Sequence, residues 1–225
     1  MTIDALAHPP AVVETRLVHE VHRLATALLA EAAVDPSVPL PALAELRDFL
    51  VANLRHHHET EDDDLWPRII AAAPAMEGAL GALSAEHERL EAALDLLAAV
   101  AVGDGEREGA AGGRTAADPV RAALRDAAAA VRDTVHDHLA HEEPLLLPAL
   151  RDHVSPAGWQ EFAQRVIATT PPVAGHLMIG FLDEAGTPAE VELVLAGLPE
   201  PVRPLLPALR LQAADCLRIL RGTTS

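Results

Sequence analysis

His57 and Glu61 stand four residues apart, and so do His138 and Glu142; a proline follows six residues after each glutamate, Pro67 and Pro148. On a helix, positions i and i+4 lie one above the other on the same face. Each pair therefore aims an imidazole and a carboxylate at one spot. Two such helices facing each other build a metal site with nitrogen and oxygen ligands. An exposed i,i+4 hydrogen bond would account for either pair alone. It does not account for the repeat of the whole spacing on positions that the apolar period assigns to a core.

Four periodic stretches are available to position these groups. The first spans about 10–33, with Leu17, Val21, Leu24 and Leu28 on one face, and ends at Asp35-Pro36-Ser37-Val38-Pro39. The second spans about 41–66 and carries Leu43, Leu46, Leu50, Leu54, His57, Glu61 and Leu65 on one side, with Pro67 and Pro74 weakening its continuation. The third spans about 76–102, where Leu80, Leu83, His87, Leu90, Leu94 and Leu97 form an a/d seam interrupted chemically only by His87. A Gly- and Ala-rich loop over 103–117 leads to the fourth, expected to open at Asp118-Pro119 as an N-cap followed by proline at N1. Four amphipathic helices with short to moderate connections predict an all-α, up-down-up-down four-helix bundle over residues 8–152. Pro144, just after Glu142, should kink the fourth helix at the site.

His57, Glu61, His87, His138 and Glu142 supply five ligands, and the first helix offers His19 and His22. Buried without partners, such groups would cost roughly 2–7 kcal/mol each even when neutral. Their number fits two metals bridged by the two glutamates, and imidazole with carboxylate argues for iron over other metals. Structural zinc would more often bring cysteine. His22 lies closer to the apolar stripe of the first helix than His19 does. His56, His58 and His141 adjoin the ligands but are turned about 100° around the helix, which predicts solvated groups or groups that orient the ligands. His8, His136, His153 and His176 read as surface or packing residues.

The pattern resembles the hemerythrin family in its bacterial cation-binding form, over roughly residues 17–152. His56-His57-His58 with Glu61-Asp62 and Leu65-Trp66-Pro67 is similar to the second-helix signature. Glu86-His87-Glu88 is similar to the third, and the run from His138 to Pro148 to the fourth. Val18-His19 with Arg23 resembles the family's first-helix position, which favours His19, with His22 as its neighbour or replacement. The resemblance implies a pair of non-haem irons bridged by carboxylates, open to O2, NO or peroxide. The third helix departs from the pattern: Leu83 stands where many members have a second histidine, so that a nitrogen ligand is missing or replaced by Glu91 or solvent. A more carboxylate-like iron favours oxidative turnover over reversible carriage. Three roles are compatible with this centre: binding O2 or NO, consuming peroxide or nitric oxide as an enzyme, and serving as an iron sensor or store without catalysis.

Composition agrees. Hydrophobic residues make up 50% of 225 and aromatics 2%, with no tyrosine, so the strong helix formers Ala and Leu carry the apolar content. The net charge of −17 offers no basic footprint for nucleic acid. Most of the acidic run from Glu59 to Asp64 reads as a solvated face. The single cysteine, Cys216, reads as a packed, inert thiol. Met1 to Pro10 lacks the charged and apolar segments of a signal peptide, and no apolar run is long enough to span a bilayer. A cytoplasmic protein that engages no membrane is expected, with a redox partner the sequence does not specify. Residues 153–225 are expected to form a C-terminal helical extension, with helices broken at Pro171-Pro172, Gly186-Thr187-Pro188 and Leu198-Pro199-Glu200-Pro201.

Overall fold

The computed structural model describes residues 8–102 and 113–223, and among these every regular element is helical. Helix α1 (Pro10–Ala32) starts with proline at its first position, where the missing N–H costs no bond. Helix α2 (Leu40–Thr60) runs through a five-residue π turn (Glu61–Leu65) into α3 (Trp66–Ala72), so the second helix passes Pro67 instead of ending there. The π turn is the physical reason. Pro67 has no N–H to donate and crowds the carbonyl four residues back. Widening the preceding turn, with Trp66 N–H donating to the Glu61 carbonyl, accommodates the ring. Helix α4 (Glu77–Ala98) follows a short 3-10 turn at Pro74–Met76.

Helix α5 runs from Gly113 to His153 without a break and contains Pro119, Pro144 and Pro148. The expected start at Asp118-Pro119 is thus corrected: the backbone is already helical five residues earlier, in a stretch where Ala116 and Ala117 favour helix. Of the expected loop, residues 103–112 lie outside the described residues. Helices α1, α2, α4 and α5 pack in a ring, each against two others, as a four-helix bundle.

The C-terminal helices are α6 (Pro156–Thr169), α7 (Gly175–Ala185), α8 (Pro188–Ala196) and α9 (Leu206–Leu220). The chain breaks where prolines were expected to break it. Ser155 caps α6 by accepting the Gly158 N–H, and Thr187 with Glu190 forms a capping box on α8. These helices share the bundle's own core. Phe181 of α7 stacks on Phe49 of α2 with ring centroids 6.1 Å apart, and Leu177, Leu182, Cys216 and Leu217 join one apolar cluster with Leu17 and Leu43. Gly180 permits this close packing, since a Cβ there would stand 2.8 Å from that of Ala213 on α9.

A second apolar cluster, including Leu65, Trp66, Leu83, Leu146 and Phe162, fills the other end of the bundle. Leu54, Leu90 and Leu139 close the first cluster on one side, and Leu65, Leu83 and Leu146 open the second on the other. The buried polar residues between these leucine layers are histidines and glutamates: His58, Glu61, His87 and Glu142.

Candidate metal centre

Between the two apolar clusters, four helices each contribute inward polar groups. His19, His57, Glu61 and Glu142 offer ligand atoms within 4.8 Å of one another, and so do His58, His87 and His138. The carboxylates lie between the two groups. Glu61 Oε1 is 3.4 Å from His57 Nε2 in the first group, while its Oε2 is 3.8 Å from His87 Nε2 in the second. Glu142 Oε2 is 3.7 Å from His19 Nε2 and 3.3 Å from His138 Nε2. His22 adjoins the first group, its ring 4.8 Å from that of His57.

An outer set of carboxylates fixes the histidines. Nδ1 of His87 bonds Asp62 at 2.8 Å, Nδ1 of His138 bonds Glu86 at 3.1 Å, and Nδ1 of His19 bonds Glu143 at 3.1 Å. A carboxylate can only accept, so each Nδ1 carries the hydrogen and each Nε2 presents a lone pair to the interior. His87 Nε2 and His138 Nε2 face each other at 3.2 Å. Two lone pairs at that separation repel unless a proton or a cation lies between them. Two nitrogens bound side by side to one cation at about 2.1 Å stand roughly 3 Å apart.

Nine buried side-chain nitrogen and oxygen atoms among the described residues lack a hydrogen-bond partner. Seven of them are here: His19 Nε2, both ring nitrogens of His22, His57 Nε2, Glu61 Oε2 and both oxygens of Glu142. Buried polar atoms are normally paired, so this concentration marks a place built around something else. The ionisation pattern agrees. Burial, reinforced by the charge of His19, lowers His22 to about 3. Burial and neighbouring imidazoles likewise push His57 and His58 well below the usual histidine range. Burial and the Glu142 carboxylate raise Glu61 well above the usual range. Burial opposes ionisation of Glu142, yet His19 and His138 hold it at about 2. Neutral imidazoles and the anionic Glu142 carboxylate are forms that ligate a metal; Glu61, and His138, which burial lowers but Glu142 and Glu86 raise overall, must instead give up a proton when a cation is bound.

The family model described as hemerythrin HHE cation binding domain matches residues 13–150, more than half of the chain. The chain belongs to the hemerythrin HHE cation-binding family. Neither a curated protein nor a solved structure matches it. As a hemerythrin-like bundle it binds cations, and the two histidine and glutamate groups in the bundle core are suited to that task.

In this hemerythrin-like bundle the residues expected as ligands, His19, His22, His57, Glu61, His87, His138 and Glu142, all lie at the centre. Two expectations change, at His58 and Glu91, while Leu83 keeps its expected place in the leucine seam. His58 is not solvated but 6% exposed, stacked on His87 at 4.4 Å between centroids, and it is the third imidazole facing His87 and His138. Glu91 does not turn inward; it is exposed and pairs with Arg55 at 2.7 Å. Leu83 packs in the apolar cluster beside Trp66 and Leu146. The nitrogen absent from the third helix thus has a counterpart on the second.

The outer carboxylates Asp62, Glu86 and Glu143 were not among the ligands expected from the sequence. Their signal in the sequence is adjacency: each sits next to a centre residue, Glu61, His87 or Glu142, and bonds a histidine of a different helix. His56 and His141 remain peripheral, bonding Thr169 at 2.8 Å and Glu86 at 3.1 Å.

Proposed function

We propose that this hemerythrin-like chain holds two non-haem irons and uses them to bind or react with O2, NO or peroxide. The observation that carries the reading is the pair of adjacent ligand groups with Glu61 and Glu142 between them. In this assignment His19, His57 and His22 would hold one iron, His58, His87 and His138 the other, and Glu61 and Glu142 would be shared between them. When bound, the irons supply electrons and an open coordination position for a small ligand. The chain's own residues do the rest. Asp62, Glu86 and Glu143 fix the imidazole tautomers, and the flanking leucine layers exclude bulk water. With His58 supplying a nitrogen beside His87 and His138, this assignment does not favour oxidative turnover over reversible binding. Binding and turnover therefore stand as one class, separated by experiment. A cytoplasmic setting, an unassigned redox partner, and no nucleic-acid or membrane partner complete the proposal. For the described residues, no helix is long and apolar enough to cross a membrane.

The unpartnered atoms support a second reading, an iron-responsive sensor or store without catalysis. A metal that satisfies seven orphaned atoms is coupled to the stability of the whole bundle, which is what a sensor needs. Stopped-flow mixing of the reduced, iron-loaded protein with O2, NO and peroxide separates the readings. A rapid spectral change with any of the three supports the first. An inert centre whose removal lowers the melting temperature supports the second and overturns the first.

A further inference from the structure

Glu45 of α2, His176 of α7 and Cys216 of α9 come together far from the bundle centre, with ligand atoms within 4.8 Å of one another. Glu45 precedes His57 by twelve residues on the same helix, roughly 18 Å along its axis. His176 Nε2 is 3.6 Å from Glu45 Oε1, and Cys216 Sγ is 3.8 Å from Glu45 Oε2. His176 is 4% exposed, and its Nε2 is buried without a hydrogen-bond partner. The three residues line a pocket of about 400 Å³ shared with Pro39, Pro41, Gln212 and Asp215. From the sequence His176 is a surface or packing residue and Cys216 a packed, inert thiol; three separate helices bring them together with Glu45.

We propose that Glu45, His176 and Cys216 form a second metal site, for a single divalent transition metal of the zinc class. Thiolate, imidazole and carboxylate are the donors such a cation takes, and three protein ligands leave a fourth position open to the pocket. A tetrahedral cation with bonds of about 2.0–2.3 Å keeps its ligand atoms roughly 3.3–3.6 Å apart. Glu45 stands 3.6 Å from the imidazole through Oε1 and 3.8 Å from the sulfur through Oε2, and the donors of all three residues lie within 4.8 Å of one another, so a cation must draw the set together, chiefly by movement of the exposed Glu45 side chain. Binding replaces the thiol hydrogen, which leaves to solvent through the pocket as the sulfur–metal bond forms. A nucleophilic cysteine is the competing reading. It needs an electropositive surrounding that stabilises thiolate, whereas Cys216 has an apolar packing and a carboxylate beside it. Gly180, one turn after His176, fixes the close approach of α7 to α9 that brings the imidazole to the sulfur.

The test uses cobalt(II) as the probe, added to the full, iron-loaded chain. Only a thiolate gives a sulfur-to-cobalt charge-transfer band in the near ultraviolet, and Cys216 is the single cysteine. The proposal expects one equivalent of cobalt to produce the band, zinc to abolish it, and Cys216→Ser to lack it. It also expects His176→Gln and Glu45→Gln to weaken binding by at least about tenfold, the loss that disturbing even the outer partners of a metal site causes. Glu45 is exposed, so its variant reports even if the buried histidine variant fails to fold. No band at saturating cobalt, or a band of undiminished affinity in Glu45→Gln, overturns the proposal.

Discussion

Glu143 accepts a hydrogen bond from Nδ1 of His19 at 3.1 Å, and the other nitrogen of that ring faces the neighbouring Glu142 at 3.7 Å. Consecutive residues of one helix thus grip both edges of an imidazole on another, because adjacent positions are turned by about 100°. The relation recurs around the bundle: Asp62 beside Glu61 holds His87, and Glu86 beside His87 holds His138. Three of the four bundle helices thus orient a histidine of a neighbour.

Removing one of these outer partners should weaken metal binding without dismantling the fold. Glu143→Gln is expected to lower iron affinity by about 10–100-fold, measured by competition with a chelator, while helicity by circular dichroism stays unchanged. Unaltered affinity would mean that His19 needs no orientation by Glu143.

The three adjacent histidines of α2 should separate cleanly. His58→Ala is expected to lose bound iron, whereas His56→Ala, whose ring is bonded to Thr169 at the surface, retains it. Equal iron content in the two variants would remove His58 from the centre.

On α1, His19→Ala should disturb the metal spectrum more than His22→Ala. His19 lies within the ligand group and is held by Glu143, while His22 adjoins it through His57. If only His22→Ala changes the spectrum, the helical phase that favours His22 identifies the true ligand.

The metal-free protein should lose stability on acidification. His22 is lowered to about 3, and His57 and His58 are lowered by burial. Below the ordinary histidine range near 6.5 the unfolded chain binds protons that the folded chain refuses, so stability falls as pH drops toward 3. Glu142, held at about 2, adds to the loss below about 4.5. Glu61 and His138, both raised, act in the opposite sense, but the three buried imidazoles outnumber them. A melting temperature higher at pH 5 than at pH 7 in the metal-free protein would contradict this balance.

Much of the centre was legible because a helix converts spacing into direction. His57/Glu61 and His138/Glu142 show their shared face directly, and His87 shows itself by interrupting a leucine seam. His58 was not legible, since an ideal helix turns it away from His57. Here, instead, the two groups are adjacent, and the neighbouring positions on α2 reach one group each. The passage through Pro67 was hidden for a related reason, because a π turn is invisible to a 3.6-residue period. The meeting of Glu45, His176 and Cys216 depends on how α7 and α9 dock, which no local pattern encodes.

That docking has its own test. Phe181→Ala removes a fully buried ring stacked on Phe49 and is expected to cost about 3–5 kcal/mol. Unfolding should remain a single transition, since α7 shares the bundle's apolar cluster. Two separate transitions in the unaltered protein would show that the C-terminal helices fold on their own.

The central claim is a two-iron centre, and the most direct measurement is metal analysis of the purified, air-exposed protein together with its visible spectrum. The account predicts two irons per chain and a ligand-to-iron charge-transfer absorption, both sharply reduced in His57→Ala and His138→Ala and unchanged in His153→Ala. One zinc per chain in place of iron with no colour, or equal iron in all three variants, would contradict it.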